Sequence, residues 1–164
     1  MFDMGYIMYA QTVLQGALQH AARSSTIEGA AGSTSAIDRK VTTTVRSAII
    51  DATVKFDRKS YASFRKIGVA EQFTDTNGNG TCEAGEPFED VNNNGGWDND
   101  QGNIGLGGAR DAVLFTATMT FPRASPLAGF MHIPANITVS GSTVLRNQPY
   151  GLQQTATPIV RYCP

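Results

Sequence analysis

Apolar side chains recur every three or four residues at the start of the chain. Met4, Ile7, Met8, Leu14, Leu18, Ala21 and Ala22 keep that spacing, alanines fill the gaps and no proline intervenes, which predicts one long helix from Met4 to about Glu28. Gly29-Ala-Ala-Gly-Ser33 breaks it. Ser35 and Asp38 then make a capping box for a second helix, whose buried stripe is Ile37, Val41, Val45 and Ile49.

Beyond residue 50 the period changes from about 3.6 to 2. Val54 and Phe56 alternate with polar neighbours and predict a short strand, whereas Tyr61, Phe64 and Ile67 give no clear period. Val113, Phe115, Ala117, Met119 and Phe121 alternate with threonines, a half-buried strand that Pro122 ends. Ile137, Val139, Thr143 and Leu145 repeat the pattern with Gly141 as an expected bulge, and Ile159 to Tyr162 make a last short strand. The glycine-rich stretch Gly102 to Gly108 is expected to be a turn leading back to the sheet, since no P-loop lysine or flanking strand and helix support a phosphate cradle.

Helices first and strands afterwards argue for an α+β protein, a long N-terminal helix and a second helix packed on an antiparallel sheet. The chain has 164 residues, 41% of them hydrophobic, which suits one globular body. We divide it into an N-terminal helix and break over residues 1–33 and a globular α+β domain over 34–164, carrying an acidic insertion at 75–101.

Charge changes the picture at that insertion. The net charge is only -1, yet seven of the fourteen acidic residues lie between 75 and 101, where there is no Lys or Arg. The other thirteen basic and seven acidic residues are scattered singly, without the clustering a nucleic-acid face needs.

The acidic segment contains two calcium-type loops. Asp75, Asn77, Asn79, Glu83 and Glu86 put oxygen side chains at positions 1, 3, 5, 9 and 12 of a twelve-residue loop, Thr81 can offer its carbonyl, and Gly80 stands at position 6. Calcium takes six to eight oxygens, so alternate side chains and one carbonyl must curl around a point, and the glycine permits the reversal. Fifteen residues later Asp90, Asn92, Asn94, Gly96 and Asp98 repeat the register, but position 12 is Gln101. The missing carboxylate could come from Asp100, or from a shared Glu86 or Glu89. Neither loop has amphipathic helices on both sides, so one or two structural calcium ions are expected, without the opening of sensor EF-hands.

Cys82 and Cys163 form no CxxC pattern, which leaves a long-range disulfide or two separate thiols, and we expect the disulfide. No catalytic constellation is visible. His20 is expected on a polar helix face and His132 in a loop, and there is no Gly-x-Ser-x-Gly or His-Glu-x-x-His, so no enzymatic activity is expected. Trp97 reads as a cover for the second loop. The sequon at Asn136 is given no role, and Arg146 to Tyr150 reads as a turn closing the sheet, with Arg146 placed to pair with an acid such as Asp111.

Phe2-Asp-Met-Gly-Tyr-Ile-Met-Tyr through Ala21-Ala-Arg-Ser, Gly107-Gly-Ala-Arg-Asp-Ala-Val-Leu-Phe and Val144-Leu-Arg-Asn-Gln-Pro-Tyr together resemble the TadE-like proteins of the bacterial tight-adherence (Tad) pilus system. The asparagine-rich loops resemble those of one subgroup. The resemblance implies a pilin-like fold and a minor pilin or assembly factor with no catalytic residue. Its partners would be other pilins, and its place the cell envelope, anchored in the inner membrane and facing the periplasm, or the extracellular pilus. It also implies a prepilin-peptidase site and a hydrophobic span ahead of the helix, so the chain is expected to begin inside the anchor. The competing reading is a calcium-dependent extracellular adhesin module, which has no use for the apolar helix start.

Overall fold

The computed structural model describes residues 2–27, 34–123, 134–147 and 157–164. Two helices, α1 (Phe2–Ile27) and α2 (Thr34–Ala48), precede six strands: β1 (Thr53–Tyr61), β2 (Pro87–Asp90), β3 (Asn103–Ile104), β4 (Ala112–Pro122), β5 (Asn136–Arg146) and β6 (Ile159–Tyr162). Among the described residues the protein is therefore α+β, with two helices, an antiparallel four-stranded sheet of order β3-β1-β4-β5 and a separate two-stranded sheet, β2-β6. The chain divides into two compact units, residues 1–58 with 114–145, and residues 59–113 with 146–164.

The first unit has one apolar core. Ala10, Leu14, Ala17, Leu18 and Ala21 of α1 and Val41 and Val45 of α2 pack with Phe115, Ala117, Met119 and Phe121 of β4 and Ile137 and Val139 of β5. Truncating such a leucine to alanine costs about 2 to 5 kcal/mol. Val41 to Val45 of α2 are five consecutive β-branched residues; the Oγ1 of Thr42, Thr43 and Thr44 each donates to the carbonyl four residues back, while Val41 and Val45 are buried in the core. Asp38, expected to cap that helix, instead pairs with Arg58, whose guanidinium lies 4.4 Å from the centre of the Phe115 ring. The break at residues 29–33 lies outside the described residues.

Gly141 does not bulge. Buried and exposed residues alternate without a shift from Asn136 to Ser142, so Gly141 falls on the buried face in phase with Ile137 and Val139. A Cβ there would sit 3.0 Å from Leu18 Cδ1, so the glycine marks a close helix-to-strand approach.

In the second unit the end of β1 pairs with β3, Lys59 opposite Ile104 and Ser60 opposite Asn103. The glycine-rich stretch thus supplies a short edge strand as well as a turn. Tyr61, which has no legible period, ends β1, and Phe64–Lys66 forms a single 3-10 turn. The residue that follows β5 meets the glycine-rich stretch here. Asn147 Nδ2 donates to the Leu106 and Gly108 carbonyls at 2.6 and 2.9 Å, and its backbone N–H donates to the Asp111 carbonyl at 3.0 Å. Gly107, at φ 62°, sits where a Cβ would lie 2.6 Å from Asp111 Oδ2.

Candidate functional site

The acidic segment folds as two loops with matching internal hydrogen bonds. Asp75 Oδ1 accepts from the Asn79 N–H at 3.2 Å and Oδ2 from the Gly80 N–H at 2.7 Å. Asp90 does the same with Asn94 and Gly95, at 3.2 and 3.0 Å. Asn77 and Asn92 each accept from the amide two residues on at 3.0 Å, and Asn79 and Asn94 repeat this at 2.8 Å with Thr81 and Gly96. The Nδ2 groups of Asn77 and Asn92 donate to Glu83 and Asp98, each at 2.8 Å.

Left-handed backbone at matched positions makes this possible. Gly78 and Gly80 have φ of 75° and 77°, and Asn93 and Gly95 have 57° and 91°. These turns aim successive amides at the first aspartate of each loop, an anion-binding nest that the loop fills with its own carboxylate.

Each loop is closed by a buried glutamate. Glu86 Oε1 accepts from the Thr76 N–H and Oγ1 at 2.7 and 2.8 Å, and Oε2 accepts from the Glu83 N–H at 3.1 Å. In the second loop Glu71 takes the equivalent place: Oε1 accepts from the Val91 N–H at 2.8 Å and Oε2 from the Asp98 N–H at 3.0 Å. Both glutamates thus bridge the second and ninth positions of a loop, and they are 4% and 2% exposed. Asp100 is turned elsewhere, accepting from Lys59 Nζ at 2.7 Å and Tyr61 Oη at 3.0 Å.

The arrangement follows from strand pairing. Phe73 bridges Phe88 in antiparallel fashion, Thr74 donates to the Pro87 carbonyl, and Glu89 donates to that of Gln72. That register sets Asp75 across from Glu86 and Glu71 across from Asp90. Residues 71–80 and 86–95 share the pattern Glu-x-Phe-x-Asp-x-Asn-x-Asn-Gly, so each loop is closed by the glutamate that opens the other repeat. Sequence reasoning missed Glu71, although extending the repeat back by four residues would have found it.

β6 fastens both loops. It pairs with β2 from Pro87 opposite Tyr162 to Asp90 opposite Ile159. Arg161 Nε lies 2.6 Å from Oδ2 of Asp90, which is fully buried. Cys163 is joined to Cys82 of the first loop in a disulfide with a Cα separation of 5.8 Å, bearing out the expected bridge. Trp97 lies half-buried at 5.5 Å from the Phe73 ring and donates its Nε1–H to the Glu71 carbonyl at 2.9 Å.

The loops differ in charge compensation. Arg161 neutralises Asp90, whereas among the described residues no basic side chain pairs with Asp75, Glu83 or Glu86. The Gly80 amide, helped by those of Gly78, Asn79 and Asn77, holds the Asp75 carboxyl below its usual range. The Thr76 amide and hydroxyl, with the Glu83 amide, do the same for Glu86, against the repulsion of Asp75. Among the described residues no three His, Cys, Asp or Glu side chains gather as a metal cluster. The donor set at the first loop is mixed: the carboxylates of Asp75, Glu83 and Glu86, the amide oxygens of Asn77 and Asn79, and the Thr81 carbonyl. All are oxygens with a lone pair to offer, which is the chemistry of a hard divalent cation. In the second loop Asp90, Asn92, Asn94, Gly96 and Asp98 hold the same positions, with Glu71 closing where Gln101 cannot. Gln101 Nε2 donates to the Val69 carbonyl at 3.2 Å.

No family model, curated protein or solved structure matches this chain. His132 and residues 148–150 of the Arg146 turn lie outside the described residues, and among the described residues no helix is long and apolar enough to cross a membrane.

Proposed function

We propose that the protein is a minor pilin or pilus-assembly protein of a bacterial tight-adherence pilus, with a pilin-like fold and a loop insertion that structural calcium rigidifies. The observation that carries this reading is the division of labour along α1. Its Leu14 and Leu18 are wholly buried while Met4, Met8 and Tyr9 of the same helix stand exposed. An apolar, exposed helix start suits docking against membrane or neighbouring helices, where packing of side chains replaces contact with water. The disulfide agrees with an oxidising, extracytoplasmic compartment.

Calcium enters the reading through the first loop, with whose carboxylates no basic side chain among the described residues pairs. A cation there relieves the repulsion between Asp75 and Glu86 and stabilises only the folded loop. The second loop is the weaker site, because Arg161 already occupies the charge of Asp90. The adhesin alternative draws on one observation, that Asp75, Asn77, Asn79, Thr81 and Glu83 are all exposed, so an ion there could meet an external ligand.

Two measurements test the proposal. Pili sheared from cells that carry the protein, and their membrane assembly complexes, should contain it, and its absence from both rejects the pilus role. Calcium at about a hundred times its Kd should raise Tm by roughly 5 to 10 °C over chelator, and coincident melting curves reject the ion.

A further inference from the structure

Three asparagines of the loops are followed by glycine: Asn77-Gly78, Asn79-Gly80 and Asn94-Gly95. This dipeptide is open to an intramolecular reaction, because glycine has no side chain to shield its backbone nitrogen. That nitrogen forms a bond to the asparagine Cγ as its proton is lost, and the side-chain nitrogen leaves as ammonia. Water then opens the cyclic imide to aspartate or isoaspartate. The reaction needs a free glycine N–H and a side-chain carbonyl able to swing back onto it.

The loops withhold both. The N–H of Gly78 and of Gly80 donate to Asp75 Oδ1 and Oδ2 at 2.6 and 2.7 Å, and that of Gly95 donates to Asp90 Oδ2 at 3.0 Å. The asparagine side chains are held forward, away from the glycine that would attack. Oδ1 of Asn77 accepts from the Asn79 N–H, that of Asn79 from the Thr81 N–H and Oγ1, and that of Asn94 from the Gly96 N–H. Asn77 Nδ2 is bonded to Glu83 and Asn94 Nδ2 to Asp98. All three asparagines are exposed, so water and base reach them whenever these bonds open.

We propose that Asn77, Asn79 and Asn94 are latent deamidation sites, held as asparagine by the closed loops, with Asp75 guarding the first two and Asp90 the third. Opening of a loop converts the sites it contains. Each conversion to aspartate adds a negative charge at an oxygen-donor position, and conversion to isoaspartate lengthens the backbone and spoils the turn. The modification thus records how long a loop has been open, independently of whether the loops hold an ion.

The test is peptide mapping by mass spectrometry of the full-length oxidised protein during incubation at mildly alkaline pH. The three sites should convert at least about 10-fold more slowly in the folded protein than in the same protein unfolded in urea, since reaction awaits local opening. Equal rates overturn the proposal. In Asp75→Asn, conversion at Asn77 and Asn79 should rise relative to Asn94 in the same molecule. This ratio is insensitive to general loosening, and an unchanged ratio overturns the guarding role of Asp75.

Discussion

Phe73 and Phe88 face each other across a single antiparallel bridge, and this pairing sets a closing glutamate against each acidic loop. Glu71 and Glu86, two residues before each phenylalanine, reach into opposite loops. A change at Glu71 should therefore be felt in the second loop, 20 residues along the chain, whereas a change at Glu86 should be felt in the first loop, which it ends.

Glu71→Gln keeps the shape of the side chain but gives one of its two acceptor positions an N–H₂ group. It faces the amides of Val91 and Asp98 with a donor, and a buried amide left unsatisfied costs about 1 to 3 kcal/mol. Hydrogen exchange should speed up at Val91, Asn92 and Asp98 and stay unchanged at Gly78 and Gly80. Glu86→Gln should produce the complementary pattern, at Thr76 and Glu83.

Removing Arg161 strands a buried charge. Asp90 is wholly buried and its Oδ2 is 2.6 Å from the guanidinium, so Arg161→Met should lower stability by about 3 to 5 kcal/mol in urea unfolding. Restoring most of the loss with the double change Arg161→Met and Asp90→Asn would show that the uncompensated carboxylate was the cause.

Acid should lower stability in a defined window. Gly80 and neighbouring amides lower the pKa of Asp75 from 3.8, and Thr76 and Glu83 lower that of Glu86 from 4.5. For Asp100 burial pulls upward, but hydrogen bonds from Lys59 and Tyr61 prevail and the pKa is lowered from 3.8. Carboxyls depressed in the folded state stabilise it fully above their unfolded values and lose that contribution as pH falls through the folded ones. Stability measured by denaturant titration should be flat from neutrality to about pH 5 and then decline. A decline that begins near pH 6.5 would point to histidine instead.

Reduction should loosen the C-terminal strand. The disulfide closes a separation of 81 residues, and removing it by Cys82→Ser with Cys163→Ser should cost about 4 to 5 kcal/mol in the chain-entropy model. Proteolysis of the variant should cut first near Ile159–Tyr162, a strand whose four residues are all exposed.

Much of the fold was legible because burial imposes a period. β4 and β5 alternate so regularly that Phe115 to Phe121 and Ile137 to Val139 fell on the core face, and both helices could be placed by their stripes. Gly141 misled because a missing side chain reads the same whether the chain bulges or a helix comes close, and only Leu18 decides which. β3 was hidden because two exposed residues between glycines bury nothing that could set a pattern. The paired turns of the acidic segment were legible through the repeated Asp-x-Asn-x-Asn-Gly spacing, which is local. Glu71 was missed although the repeat of residues 71–80 and 86–95 reaches back to it, and Arg161 was not legible, since its role arises from the pairing of β6 with β2.

The bridge between Cys82 and Cys163 also sets how the protein would respond to mechanical load. A pull at Pro164 passes through covalent bonds into the first loop before it reaches the hydrogen bonds between β2 and β6. Both β2 and β6 lie inside the loop that the bridge closes, so under tension that pair carries no load and cannot unzip from its end, and the force falls on residues 59–81 instead.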